Sequence, residues 1–234
     1  KSQLSEVSVL ANNLPGPQLE RVQYLNDGSA IDVIFNVATN QAGDKFNCFV
    51  SRYFNFSGIS NSYCVWMNSA SIRVFFTNVT AAPSAGSSFT LLANVLTIDC
   101  PTSKTCLLNS EDLTSILAPV SPIRPTVSIV SPSIVQLRET FSIDFSGSTG
   151  NCGRPFNSTA IVKGPVGADP NVLSMLKKTF SLYSDYPILV NVSKGAGMYT
   201  ISMQLCNIFK QCSFGSTSIL VVNGSSSIPK ITIP

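Results

Sequence analysis

From residue 18 onward the chain alternates apolar and polar positions in short runs, the two-residue period of a strand with one face on a core. Residues 21–25, 31–36, 45–50, 63–67, 72–78 and 88–98 carry this pattern or run apolar; Ile31, Val33 and Phe35 show it plainly. Turn formers punctuate the runs: Asn26-Asp27-Gly28, Ala42-Gly43-Asp44, Ser57-Gly58 and the stretch 83–86. The second half repeats the arrangement at 126–130, 134–137, 141–145, 159–162, 188–192, 198–207 and 211–222. Two segments break the period. Residues 109–117 suit one or two helical turns capped by Asn109 or Ser110. Asp169-Pro170 followed by Leu173, Leu176, Lys177 and Lys178 has a cap, a first-turn proline and basic residues in the last turn, so a short helix crosses between strands there. The prediction is an all-β chain of two tandem β-sandwiches. Residues 117–125 hold three prolines and no glycine, a stiff connector between them. The expected organisation is 1–17 as an N-terminal strand segment, 18–120 and 121–226 as sandwiches, and 227–234 as a C-terminal strand tail.

The ends carry strands without visible partners. Pro229-Lys-Ile-Thr-Ile-Pro234 has the shape of Pro125-Thr-Val-Ser-Ile-Val130, which opens the second sandwich. Ser5-Glu-Val-Ser-Val-Leu10 resembles a closing strand such as 218–223. Unpaired strands recruit a partner edge through their free N–H and C=O groups. Val7, Val9, Ile228, Ile231 and Ile233 are therefore the candidate assembly residues, as exposed terminal strands. Either the chain is a piece of a longer one, or a second copy of this chain accepts the tail. Contacts between unlike surfaces do not close on themselves, so the second case gives a head-to-tail homopolymer.

Composition narrows the chemistry. Apolar content of 44% with 12% charge across 234 residues supports real cores. The net charge of +3 is scattered, with Lys177-Lys178 the sole basic doublet, so no nucleic-acid footprint is expected. No run reaches the length of a membrane span. Histidine is absent, which removes Ser-His-Asp and Cys-His catalysis and imidazole metal sites together. Glu111-Asp112 reads as a helix start rather than an acid–base pair, and Asp144 lies between apolar Ile143 and Phe145, either outward or tying a turn. No Asp-x-Asp-x-Asp run offers a calcium loop. We expect no enzyme, no cofactor and no metal.

Seven cysteines in a Ser/Thr-rich chain point to an oxidising compartment, hence an extracellular, secreted or cell-surface location. Their spacing suggests local pairs, Cys48 with Cys64, Cys100 with Cys106 and Cys206 with Cys212. Cys152 is left over, buried as a thiol or paired outside the chain. Asn-x-Ser/Thr sequons at Asn55, Asn78, Asn157, Asn191 and Asn223 make covalent glycans plausible partners. Trp66, with Tyr53, Phe54 and Tyr63 nearby, reads as core, with a sugar-stacking platform as the alternative.

Pro125-Thr-Val-Ser-Ile, Phe141-Ser-Ile-Asp-Phe-Ser-Gly-Ser-Thr-Gly150, Gly153-Arg-Pro155, Ile188-Leu-Val-Asn-Val, Gly197-Met-Tyr-Thr-Ile-Ser-Met and Cys206-Asn207 follow in order. With Asp27–Phe35 and Cys64-Val-Trp66 ahead of them, they resemble the receptor-for-egg-jelly module of polycystin-like and protist surface proteins. That resemblance implies immunoglobulin/fibronectin-like sandwiches serving adhesion, ectodomain spacing or extracellular filaments, and supplies no catalytic residues. The expected function is a structural subunit of an extracellular glycosylated filament or surface coat assembled by strand exchange; an adhesive or carbohydrate-binding ectodomain piece is the alternative.

Overall fold

The computed structural model describes residues 13–44, 47–102, 104–181 and 187–224. The candidate assembly residues Val7, Val9, Ile228, Ile231 and Ile233 lie outside them. The chain divides into two compact units between Pro122 and Ile123.

In the first unit the alternating runs become β1 (Asn13–Leu14), β2 (Leu19–Tyr24), β3 (Ala30–Phe35), β4 (Asn47–Cys48), the single-turn helix α1 (Val50–Tyr53), β5 (Phe54–Phe56), β6 (Ser62–Asn68), β7 (Ser71–Phe76), β8 (Ser88–Leu91), β9 (Thr105–Cys106) and β10 (Asp112–Ser115). One sheet has the order β2-β3-β7-β6-β4 and the other β10-β8-β5. Labelled A to G along the chain as β2, β3, β5, β6, β7, β8 and β10, these strands form the A-B-E-D and C-F-G sheets of a constant-type immunoglobulin sandwich, with β4 added beyond D. The period-two pattern is the cause. Ile31, Val33 and Phe35 are at most 2% exposed, while Asp32 and Ile34 between them face outward. Each such buried side chain contributes about 1.5–3 kcal/mol. The β2–β3 hairpin turns at Gly28 with φ of 72°, a left-handed geometry that glycine adopts without strain, and Asp27 accepts the Ser29 N–H at 3.0 Å.

Residues 13–17 belong to this unit. β1 runs parallel to β9, with Asn13 opposite Thr105. Gly16 lies so close to Asn109 that a Cβ there would sit 2.5 Å from its backbone nitrogen.

The helix expected over 109–117 is not formed. Residues 112–115 pair antiparallel with β8, Asp112 opposite Leu91. The sheet edge offered by β8 outweighs a weak local capping signal, and the buried Asn109 side chain is spent on other partners, described below.

The second unit contains β11 (Ile134–Gln136), β12 (Thr140–Ile143), β13 (Asn157–Lys163), α2 (Pro170–Ser181), β14 (Ile188–Asn191), β15 (Gly197–Cys206) and β16 (Cys212–Val222). Its larger sheet is ordered β11-β16-β15-β13, with β11 parallel to β16, Ile134 opposite Leu220. The smaller pairs β12 with β14, and residues 126–130 bridge to the segment that follows β12, at Thr126–Thr149 and Val130–Asp144. This is again an immunoglobulin-type sandwich, with α2 standing where strand D would run. Asp169 caps α2 by accepting the Asn171 N–H at 2.8 Å. Val172, Leu176 and Phe180, four residues apart on one face, enter the core; Phe180 meets Phe145 edge-on at 6.0 Å. Near the start of β15, Tyr199 is 2% exposed and its hydroxyl donates back to the Gly195 carbonyl at 2.8 Å and the Lys194 carbonyl at 3.2 Å. That is the tyrosine corner of Greek-key sandwiches.

Candidate interaction surface

The outer face of the five-stranded sheet carries a charged pair and a ring stack. Its centre is an ion pair on neighbouring strands: Arg73 meets both carboxylate oxygens of Asp32, at 2.7 and 3.0 Å. Hydrogen bonding to Asp32 raises the Arg73 pKa further, fixing the guanidinium as a cation. Beside it Phe75 stacks on Tyr63 with centroids 5.1 Å apart. Cys48 and Cys64 face one another across β4 and β6 and are disulfide-bonded. Next to that bond, Phe49, Tyr63, Val50 and Ile59, with Ser51, Ser60 and Ser62, line a groove of about 620 Å3. Phe49 is 77% and Tyr63 50% exposed.

Trp66 lies on the other side of the same sheet, inside. It is 5% exposed, against Phe35 at 6.0 Å and edge-on to Tyr53 at 6.1 Å. A sugar platform on Trp66 is therefore ruled out by burial, and Tyr53 and Phe54 share its fate. The Trp66 indole nitrogen is buried with no hydrogen-bond partner among the described residues, though its N–H exerts a weak pull on the Tyr53 hydroxyl. That hydroxyl donates to Asp44 at 2.5 Å, and Arg52 reaches Asp44 at 3.5 Å. Burial first, and the Asp44 contact second, push the Tyr53 phenol well above its usual range.

Two asparagines hold the loops, Asn109, expected as a helix cap, and Asn207, in a role that the sequence did not indicate. In the first unit Asn109, 1% exposed, accepts from the N–H groups of Val95 and Leu96 at 2.9 and 2.8 Å. It donates to the carbonyls of Leu92 and Ser110 at 2.6 and 2.9 Å. In the second, Asn207 accepts from Phe209 and Gln211 and donates to Ile123 and Gly150. Buried Cys152 adjoins this network, its sulfur 3.5 Å from the Asn207 amide nitrogen. Asp144 ties a turn: its carboxylate accepts the Ser146 N–H at 2.8 Å, the main reason its pKa is lowered.

Cys100–Cys106 and Cys206–Cys212 are bonded as well. The second closes the β15–β16 hairpin. All five sequon asparagines are exposed: Asn55 in β5, Asn78 at the cap of a turn after β7, Asn157 opening β13, Asn191 closing β14 and Asn223 after β16. Among the described residues the two asparagines found buried, Asn109 and Asn207, lie outside sequons. Glu111 and Asp112 form no acid–base pair; the Asp112 carboxylate accepts the Leu19 N–H at 2.8 Å. Among the described residues no three His, Cys, Asp or Glu side chains converge in a metal-holding group, and no helix is long and apolar enough to cross a membrane.

No family model and no curated protein matches the chain. Solved structures it is similar to include the fibronectin(III)-like modules of Clostridium thermocellum CbhA, at 13% identity over 93% of this chain and 100% of that one, with a TM-score of 0.32. The tandem immunoglobulin repeats of Dlar share 11% identity over 89% of this chain and 98% of theirs, with a TM-score of 0.28. The Yersinia pseudotuberculosis adhesin InvE shares 8% over 87% of this chain and 58% of its own, with a TM-score of 0.34. The fold assignment rests on strand order and the tyrosine corner, not on these likenesses.

Proposed function

We propose that this chain is a secreted, N-glycosylated structural subunit of an extracellular filament or surface coat, linked to its neighbours by exchange of terminal β-strands. The observation that carries the extracellular part is the sorting of asparagines: every sequon is at the surface, and both buried amides are structural and sequon-free. Three disulfides in two sandwiches agree with an oxidising compartment. Strand exchange draws its support from the pattern of residues 5–10 and 229–234, which repeat the closing and opening strands of a sandwich. The polar work of the described side chains is structural: Tyr53–Asp44, Arg73–Asp32 and the two buried asparagines all bind strands and loops of their own unit.

The test is secretion from a glycosylating cell followed by electron microscopy, with and without residues 228–234. Fibres in which this chain repeats, lost on deletion while the monomers stay folded, support the proposal; fibres that persist after deletion sink it. A second reading, an adhesive module that binds glycans, is favoured by the groove between Phe49 and Tyr63, where exposed rings and serine hydroxyls share a lining without charge. That reading requires Tyr63→Ala to abolish binding on a glycan panel with the fold intact.

A further inference from the structure

The sequons are placed by more than exposure. Three of the five lie on strands that end a sheet: Asn55 on β5, Asn157 on β13 and Asn191 on β14. Among the described residues no strand pairs with the outer margin of any of the three. An open margin is a row of N–H and C=O groups that adds strands from other molecules, and proteins blunt such rows with short strands, charges or covering elements. These three strands use those devices only in part: β5 and β14 are short, at three and four residues, and β13 is longer and ends in Lys163. β5 has the sequence Phe-Asn-Phe and β14 Ile-Leu-Val-Asn, with no charge in either. On β14 Leu189 is 72% exposed, and on β13 Ile161 is 54% exposed. α2 flanks β13 but leaves a groove of about 300 Å3 beside β14, between Met175 and Thr179 on the helix and Leu189 on the strand. The other open margins have no sequon: β4 is two residues long and bonded to β6 through Cys48 and Cys64, and β1 and β9, two residues each, pair only with one another. On the opposite sides the chain bridges its own sheets. Residues 116–117 lean from β10 onto β2, and the segment from 126 to 136 passes from the residues that follow β12 to β16.

We infer that N-linked glycans at Asn55, Asn157 and Asn191 guard the open sheet edges against lateral strand addition, a role that rests on the glycosylated, extracellular reading above. An incoming strand settles about 4.8 Å from the edge strand. A branched sugar rooted on that strand is bulky and hydrated and occupies the approach. The chemistry of attachment is compatible with the fold. The Asn191 amide nitrogen donates to the Arg138 carbonyl at 2.8 Å and lies 3.5 Å from the Thr140 hydroxyl; glycosylation replaces one of its two hydrogens, giving up the longer contact and keeping the bond to Arg138. Asn55 and Asn157 are exposed at the surface. Lateral association blocked in this way leaves the chain free to join others only at places without sugar.

The experiment uses the whole secreted chain, with occupancy of each sequon read by mass spectrometry. Asn78→Gln/Asn223→Gln leaves sugars on the edge strands alone; trimming that folded variant with an endoglycosidase to one sugar per site then strips only the edges. Light scattering after gel filtration follows aggregate mass. The expected result is a several-fold rise in aggregated mass on trimming, matched by Asn55→Gln/Asn157→Gln/Asn191→Gln, whereas the untrimmed Asn78/Asn223 variant behaves as wild type. If the triple variant is not secreted, the trimmed protein decides, since it has already folded. Trimmed protein indistinguishable from untrimmed overturns the inference and leaves the extracellular reading standing, and so does a control variant that aggregates before trimming. Absence of sugar at all five sites overturns both.

Discussion

Replacing Asn109 with alanine removes four hydrogen bonds from a side chain that is 1% exposed: two accepted from Val95 and Leu96 and two donated to Leu92 and Ser110. At a net contribution of about 1 kcal/mol each, the four bonds sum to about 4 kcal/mol. Ser110 is exposed and its carbonyl rehydrates, so the expected cost is about 2–4 kcal/mol. For a domain of this size that lowers the melting temperature by roughly 10–20 °C. The single tryptophan makes the measurement clean. Trp66 is buried in the first sandwich, so its fluorescence follows that unit's unfolding and is blind to the second. Asn109→Asp sharpens the test. Its carboxyl keeps the contacts from Val95 and Leu96 but sets an oxygen against the Leu92 and Ser110 carbonyls, so only the protonated form can donate. The folded-state pKa of that Asp then rises above the unfolded value of about 3.9. Stability is fully present below pH ~4 and is lost as pH rises through the raised folded value. A Trp66 melt of Asn109→Ala within two or three degrees of wild type (roughly half a kcal/mol), or an Asn109→Asp protein indifferent to pH, refutes the assignment of this amide as the clamp of the loop.

Tyr199→Phe keeps the ring and deletes the tyrosine-corner hydrogen bonds; we expect a loss of about 1–2 kcal/mol, seen as faster amide exchange along β15 and β16 with the Trp66 melt unchanged. Removing Cys48–Cys64 by double alanine substitution should cost about 3 kcal/mol, read by the Trp66 melt; an unchanged midpoint would count against the staple. The raised Tyr53 phenol predicts alkaline sensitivity. Its neutral form is the one the fold holds, so stability is present below the unfolded value near 10 and lost as pH climbs beyond it. Tyr53→Phe should flatten that slope in a fluorescence titration, and a slope that persists assigns it to another group.

Strand alternation was legible because it is a one-dimensional signal. Ile31, Val33 and Phe35 declare one face of β3 without reference to any other strand. The capped helix at Asp169 was legible for the same reason, since cap, proline and period are all local. The residues at 109–117 were misread because their outcome is settled elsewhere: β8 lies more than twenty residues upstream, and only the folded sheet presents its edge to Asp112. The clamp roles of Asn109 and Asn207 were not legible because each amide combines near neighbours with backbone groups far away in the chain, Leu92 for Asn109 and Ile123 for Asn207. The Phe49–Tyr63 groove also depends on the β4–β6 register, which pairs positions sixteen residues apart. Trp66, beside a cysteine on an alternating strand, pointed correctly to the core.

The parallel pairing of β11 with β16 has a mechanical consequence. These strands lie near the entry and exit of the second sandwich, and a pull on the two ends drags them in opposite directions along their length. Their hydrogen bonds then stand across the line of force and must shear together instead of unzipping one by one. The first sandwich is laced the same way, where Leu117 binds Val22 and Tyr24 on β2. Under tension the rate of unfolding governs lifetime, so each unit is expected to resist extension longer than one whose terminal strands could unzip.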